Sequence, residues 1–214
     1  MKQKILLFIC LFTSVFGFSQ FDSAKQVFES QNLKQEITTH KTVAVLPFKA
    51  TISFKRLPKN YNEATNKEDE KNLGTNMQSG LYTYLLRKSS DYSVTVQDID
   101  RTNALLKKND IIEKLDELTS DELAKILGVD AVIKCSYAYE KTGSEGGAIV
   151  KSLLIGFGTG KVATGELTMQ INNGKDGQLL WRFYKQMNED VMSSPSAMME
   201  RMMRKVGRNF PYQI

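Results

Sequence analysis

A chain of 214 residues that is 41% apolar, 25% charged and 9% aromatic has the usage of a folded soluble protein, with length for one core and too many apolar residues for intrinsic disorder. Fourteen glycines and four prolines exclude collagen-like and fibrous architectures. One histidine, His40, and two cysteines, Cys10 and Cys135, leave almost nothing for a Ser-His-Asp triad, a Cys-His dyad or a Cys/His zinc site, so the chain reads as a non-enzyme without metal or cofactor.

Lys2 and Lys4 precede an apolar run from Ile5 to Phe12, and Gly17 and Ser19 supply the small residues expected just before cleavage at Gln20. Residues 1–19 therefore read as a signal peptide, because the run is short of the ~20 residues a spanning helix needs. Cys10 sits mid-run after Phe8 and Ile9, with no small residue beside it, so no lipid attachment is expected there. Export to the periplasm or beyond is the expectation. Cleavage removes two lysines and no acid, leaving 27 basic and 24 acidic residues and lowering the formal charge from +5 to +3. That excess is too small to argue for nucleic acid. Cys135 is then alone in an oxidising compartment and reads as a buried strand thiol.

Residues 20–40 read as a polar leader, able to form a weak helix or an extended arm, and 41–214 as one α/β domain. Thr42 to Phe48 is β-branched and apolar, with Pro47 near its end, and predicts a buried first strand. Ala50 to Asn66 follows as a long polar connection, of a length often functional. Thr65 and Glu68 fit a capping box for a helix whose apolar face is Leu73, Met77, Leu81, Tyr84 and Leu85. Tyr92, Val94 and Val96 alternate as a short strand, and Asp98 is placed to cap a helix carrying Ile99, Leu105 and Leu106. Thr119 and Glu122 offer a capping box for a helix that stops at Gly128. Val129 to Tyr139 predicts a strand with Ala131, Ile133, Cys135, Tyr137 and Tyr139 on one face. Glu166 to Asn172 and Gln178 to Met187 predict an antiparallel hairpin around Asn172 to Gly177. Ser194-Pro195-Ser196 opens a last helix with Met198, Met199, Met202, Met203 and Val206 as its apolar stripe. The predicted architecture is a single mixed β-sheet flanked by helices, in the order strand, helix, strand, helix, helix, strand, hairpin, helix.

Three segments carry a resemblance: Val43 to Phe48, then Leu123 to Ile133 with its Leu127-Gly128-Val129-Asp130-Ala131 run, then Gly177 to Trp181 closing the hairpin. The chain resembles the CsgG-like superfamily, that of the curli secretion component CsgG, which includes penicillin-binding-protein activator lipoproteins and the TolB amino-terminal domain. The likeness runs from about Thr42 to Phe210 and implies a compact mixed sheet flanked by helices. Cys135 stands where many relatives have glycine, and the lipobox common among envelope members is missing.

Motifs that suggest other chemistry fail on spacing. Gly156 to Lys161 lacks the Walker pattern, with Ile155 at the first glycine and Val162 after the lysine. Asn172 to Gln178 is a poor calcium loop, with Gly174 at the third ligand position and Phe183 where the bidentate glutamate belongs. Glu113, Asp116, Glu117, Asp121 and Glu122 surround a helix start among lysines and read as a solvated face. The methionines read first as core, then as a docking face, and last as a Cu(I) site. Trp181 reads as the cover of the hairpin's buried face, ahead of a stacking platform.

Gly146 to Gly158 is apolar and punctuated by glycine, and lies where the CsgG-like channel carries a membrane-crossing hairpin. One barrel hairpin, at ~9–11 residues a strand, fits between Lys141 and Thr164. A second has too little room between Asn188 and Ser194. The expectation is therefore a non-catalytic exported envelope protein that binds a protein partner or assembles with copies of itself; a self-assembling outer-membrane channel subunit is the alternative. Ile149, Leu153, Leu154, Phe157, Met199 and Met203 are the expected partner contacts, with no nucleic acid and no spanning segment.

Overall fold

The computed structural model describes residues 25–141, 162–190, 195–206 and 209–214. Along the chain come β1 (Gln26–Glu29), α1 (Leu33–Ile37), β2 (Thr42–Val45), β3 (Lys49–Phe54), α2 (Glu63–Arg87), β4 (Thr95–Val96), α3 (Ile99–Lys108), α4 (Ser120–Leu127), β5 (Ala131–Lys141), β6 (Val162–Asn173), β7 (Leu179–Asp190) and α5 (Pro195–Val206). The strands form one mixed sheet in the order β1-β7-β6-β5-β2-β4, with β3 paired to β5. The fold is α/β, as the sequence predicts.

β2 and β3 are successive parts of one run along β5. Val45 lies opposite Ile133, and Lys49 lies opposite Ser136, so Leu46-Pro47-Phe48 carries one residue more than its partner and bulges. Proline is tolerated there because a bulge has no ladder bond for its missing N–H to make. The polar connection expected from Ala50 to Asn66 is corrected accordingly: β3 continues the sheet to Phe54, burying Ile52. Side chains of α2 occupy the outer edge of β3. The Ile52 N–H donates to Glu70 at 2.7 Å, and Asn66 Nδ2 donates to the Ile52 carbonyl at 3.2 Å, which blocks strand addition at that point.

The start of α2 is a second correction. Asn62 is the cap, its side-chain oxygen accepting the Thr65 N–H at 3.0 Å, so the helix begins before the Thr65–Glu68 box expected from sequence. Leu73, Met77, Leu81, Tyr84 and Leu85 are all buried, as their spacing predicts. Gly74 lets this helix approach the bulge, since a Cβ there would lie 2.4 Å from the Phe48 carbonyl oxygen. α2 and α5 share one core with Val43, Val45, Ile133, Cys135, Tyr137, Trp181 and Phe183 on the same sheet face.

A smaller cluster lies on the opposite face, where Leu106 of α3 and Leu123, Ala124 and Leu127 of α4 pack on Ala44, Leu46 and Val132. Both helices start as their sequences predict. Asp98 accepts the N–H groups of Asp100 and Arg101 at 2.9 and 3.0 Å, and Glu122 accepts the Thr119 N–H at 2.8 Å. α4 ends at Gly128, whose φ of +67° is the left-handed cap its sequence calls for.

β1 and α1 come from the stretch read as a leader. β1 pairs antiparallel with β7, placing Phe28 opposite Arg182, and Leu33 of α1 is buried.

Candidate functional site

The two sheet faces are covered unequally. α3 and α4 cover the second face only around β2 and the start of β5, where Val132 is buried. Further along β5 that face carries Lys134, Ser136, Ala138 and Glu140, none of them buried. Register extends this surface across the sheet. Lys134 stands opposite Gln170 and Gln170 opposite Arg182, while Ser136 stands opposite Thr168 and Thr168 opposite Tyr184. Alternation of buried and accessible residues along β5, β6 and β7 is what a sheet packed on one side requires.

Where this open face meets α3 and the connection from Asn109 to Thr119, a groove of about 570 Å³ opens beside the Pro47 bulge. Its volume falls in the range of ligand sites, ~300–1,000 Å³. Pro47, Ile112 and Leu115 supply apolar lining. Five cations, Lys49, Lys71, Lys107, Lys134 and Arg182, line it against three carboxylates, Glu70, Glu113 and Asp116. The carboxylates are all engaged. Glu70 holds the Ile52 N–H and Asn66, Glu113 pairs with Lys71, and Asp116 pairs with Lys49. Lys107, Lys134 and Arg182 form no ion pair among the described residues. Glu70, held only by neutral donors, keeps its own charge, but five cations against three carboxylates leave the groove with a net positive charge.

The connection itself is clipped to the body by those two pairs, Lys71–Glu113 and Lys49–Asp116. The four side chains are about two-thirds exposed, 66% and 67% in each pair, so each contact is worth only ~0–1 kcal/mol. α3 gives way to the connection through Asp110, whose φ of +56° lies in the left-handed region that aspartate tolerates better than most residues.

The residues singled out from sequence fall elsewhere. Ile149, Leu153, Leu154 and Phe157 lie outside the described residues, as do the glycine-rich run 156–161 and the expected signal peptide 1–19. Met199 is in α5, with its side chain outside the description. Met203 is fully buried against the core, so its side chain offers no surface for docking in this arrangement; Met202 is buried too. Trp181 is also fully buried, stacked with Phe183 at 6.1 Å and edge-on to Phe210 at 6.0 Å, which places it in the core and not on a ligand platform.

His40 and Cys135 have structural surroundings. Burial lowers the His40 pKa against the opposing pull of Asn173, Asp130 and Glu36, and its Nδ1 lies 2.7 Å from the Tyr212 hydroxyl. Burial of Cys135 pushes its thiol pKa far up, away from the thiolate that reactivity needs. Burial alone would raise the Asp130 pKa too, but the N–H groups of Thr42 and Lys41, both donating at 2.8 Å, outweigh it and hold the carboxyl below its usual range. Among the described residues no three His, Cys, Asp or Glu side chains gather into a metal site, and no helix is long and apolar enough to cross a membrane.

No single sequence signal marks the groove, whose cations without an ion pair among the described residues come from α3, β5 and β7. The readable hint was alternation along Lys134-Cys135-Ser136-Tyr137-Ala138, which leaves one face of β5 polar.

No family model matches the chain, and no curated protein matches it. Among solved structures it is similar to lipoprotein GNA1162 from Neisseria meningitidis, at 14% identity over 78% of this chain and 94% of that one, with a TM-score of 0.45. It is also similar to the PelC dodecamer from Paraburkholderia phytofirmans, at 15% identity over 89% and 96% and a TM-score of 0.42. The LpoB C-terminal domain from Salmonella enterica matches at 11% identity over 74% and 95%, with a TM-score of 0.36.

Proposed function

We propose that this protein is an exported, non-catalytic binding or assembly module of the cell envelope, related to the CsgG-like domains it resembles, and that its working surface is the open sheet face with the groove beside Pro47. The observation that carries this reading is the groove, which joins apolar lining to a net positive charge and to three cations that form no ion pair among the described residues. A side chain kept positive and accessible beside an apolar wall suits recognition of another molecule. His40 and Cys135, the residues best suited to nucleophilic or acid–base work, are buried in structural contacts instead.

The partner in this reading is another protein. Residues 146–158, with Ile149, Leu153, Leu154 and Phe157, are proposed as a second contact, toward that partner or another copy of the chain. The amino-terminal segment directs export.

The test has two parts. Amino-terminal sequencing of protein from the envelope fraction is expected to begin at Gln20, and light scattering of that protein without detergent is expected to show a soluble species. Intact Met1 in a cytoplasmic fraction would contradict export. A ring that needs detergent and conducts ions in planar bilayers would replace the module with the channel subunit.

A further inference from the structure

We infer that the groove takes an extended acidic and apolar segment of a partner protein, its carboxylates reaching Lys134, Arg182 and Lys107 and its apolar side chains lying on Pro47, Ile112 and Leu115. The inference rests on the binding-module reading in taking the partner to be a protein, and it adds the chemistry by which that partner is recognised.

Charge and spacing come first. Lys134 and Arg182 lie on the same register line two strands apart, with Gln170 between them. At ~4.8 Å per strand they stand about 10 Å apart, a separation that alternate residues of an extended peptide crossing the sheet can bridge with glutamate side chains. Lys107 reaches the same groove from α3, so the positive charge surrounds the space from two walls.

The chain supplies its own example of the occupant. The connection running Ile111-Ile112-Glu113-Lys114-Leu115-Asp116 lays an acidic and apolar segment along one side of the groove, with Glu113 on Lys71 and Asp116 on Lys49. That segment satisfies two of the five cations and leaves three. A second segment of the same character, laid on the sheet side, matches the remaining three. Concavity argues for a chain and against a planar lipid surface, because Lys134 is half-buried between the sheet and the connection and a bilayer face cannot enter a groove of this size.

The test uses the exported protein purified from the envelope fraction and a short fluorescein-labelled peptide alternating glutamate and leucine, read by fluorescence anisotropy. The same peptide with lysine for glutamate, polyglutamate, and phosphatidylglycerol vesicles are the comparison probes. The glutamate–leucine peptide is expected to bind, the lysine peptide to fail, and polyglutamate to bind more weakly for want of apolar contacts. Lys134→Glu with Arg182→Glu is expected to weaken the peptide roughly tenfold or more, and Lys134→Arg with Arg182→Lys to retain most of the binding. Lys107→Glu, at an exposed helix position in no ion pair among the described residues, gives a second reading should the double variant lose its near-UV circular dichroism. Equal affinity in wild type and charge-reversed protein would overturn the inference, as would no binding of the acidic peptide. Vesicle binding abolished by the double variant, with peptide binding absent, would assign the cations to a lipid surface instead. Either failure leaves export and envelope location intact, and those fall only by the fractionation result.

Discussion

The ring of His40 meets the hydroxyl of Tyr212, with Nδ1 2.7 Å from the oxygen, so the approach to the first inner strand is tied to the last residues of the chain. This contact joins sequence positions 172 apart, and burial of the ring keeps it neutral in the fold.

A pH dependence follows. Unfolded His40 titrates near its ordinary value of 6.5, whereas the folded ring resists protonation. Between those two values the unfolded chain binds a proton that the native state does not, so stability is intact above about 6.5 and falls as pH drops toward the lowered value. Asp130 acts further down, since its pKa lies below the usual 3.8 and its contribution is lost only as pH falls through that range. Urea midpoints between pH 7.5 and 5 are expected to decline in wild type and to decline less in His40→Gln. Parallel slopes would show that the ring does not titrate with folding.

Gly128 and Gly74 separate two reasons for glycine. At Gly128 nothing lies within 4 Å of the point a Cβ would occupy, so Gly128→Val is strained by the positive φ alone, at about 1–2 kcal/mol. Gly74→Ala meets the Phe48 carbonyl instead and must push α2 off the bulge, at about 1–3 kcal/mol despite alanine's better helix propensity. Chemical denaturation of the two variants checks both, and an unchanged Gly74→Ala midpoint would mean that α2 does not pack closely on Phe48.

Cys135 is expected to be inert in the native state. In exported protein beginning at Gln20, which no longer contains Cys10, an aromatic disulfide reagent should label no thiol until denaturant unfolds the chain, because the sulfur is buried and its pKa is raised. Labelling at the rate of free cysteine would place Cys135 at the surface.

The pairs that clip the connection from Asn109 to Thr119 are expected to be nearly neutral for stability. Lys71→Ala and Lys49→Ala should each change the unfolding free energy by no more than ~1 kcal/mol, as exposed pairs do. Larger losses, measured by the same denaturant series, would mean that the connection is held more firmly than its exposure suggests.

Local signals were legible where local physics decides. Gly128, the Thr119–Glu122 box, the Asp98 cap and the alternating face of β5 all follow from rules spanning a few residues. β3 was missed because Pro47 interrupts the pattern and because Lys49, Thr51 and Ser53 make half of it polar; parallel pairing to β5 decides it. Asn62 displaced Thr65 as cap because both are good capping residues and the fold selects the earlier one. β1 is four exposed residues whose strand character comes from pairing with β7. The groove was the least legible feature of all, for Lys107, Lys134 and Arg182 are ordinary surface residues in sequence and become a site only through register and helix placement.

The measurement that bears most directly on the groove as working surface is site-specific photo-crosslinking in intact cells, with the photoreactive side chain placed at Gln170 between Lys134 and Arg182, and at Ser79 on the exposed side of α2 as the control. A discrete protein adduct is expected from Gln170, absent from Ser79 and lost in the Lys134→Glu, Arg182→Glu background. Adducts of equal yield from both positions, or a Gln170 adduct indifferent to the charge reversal, would contradict the groove as the working surface.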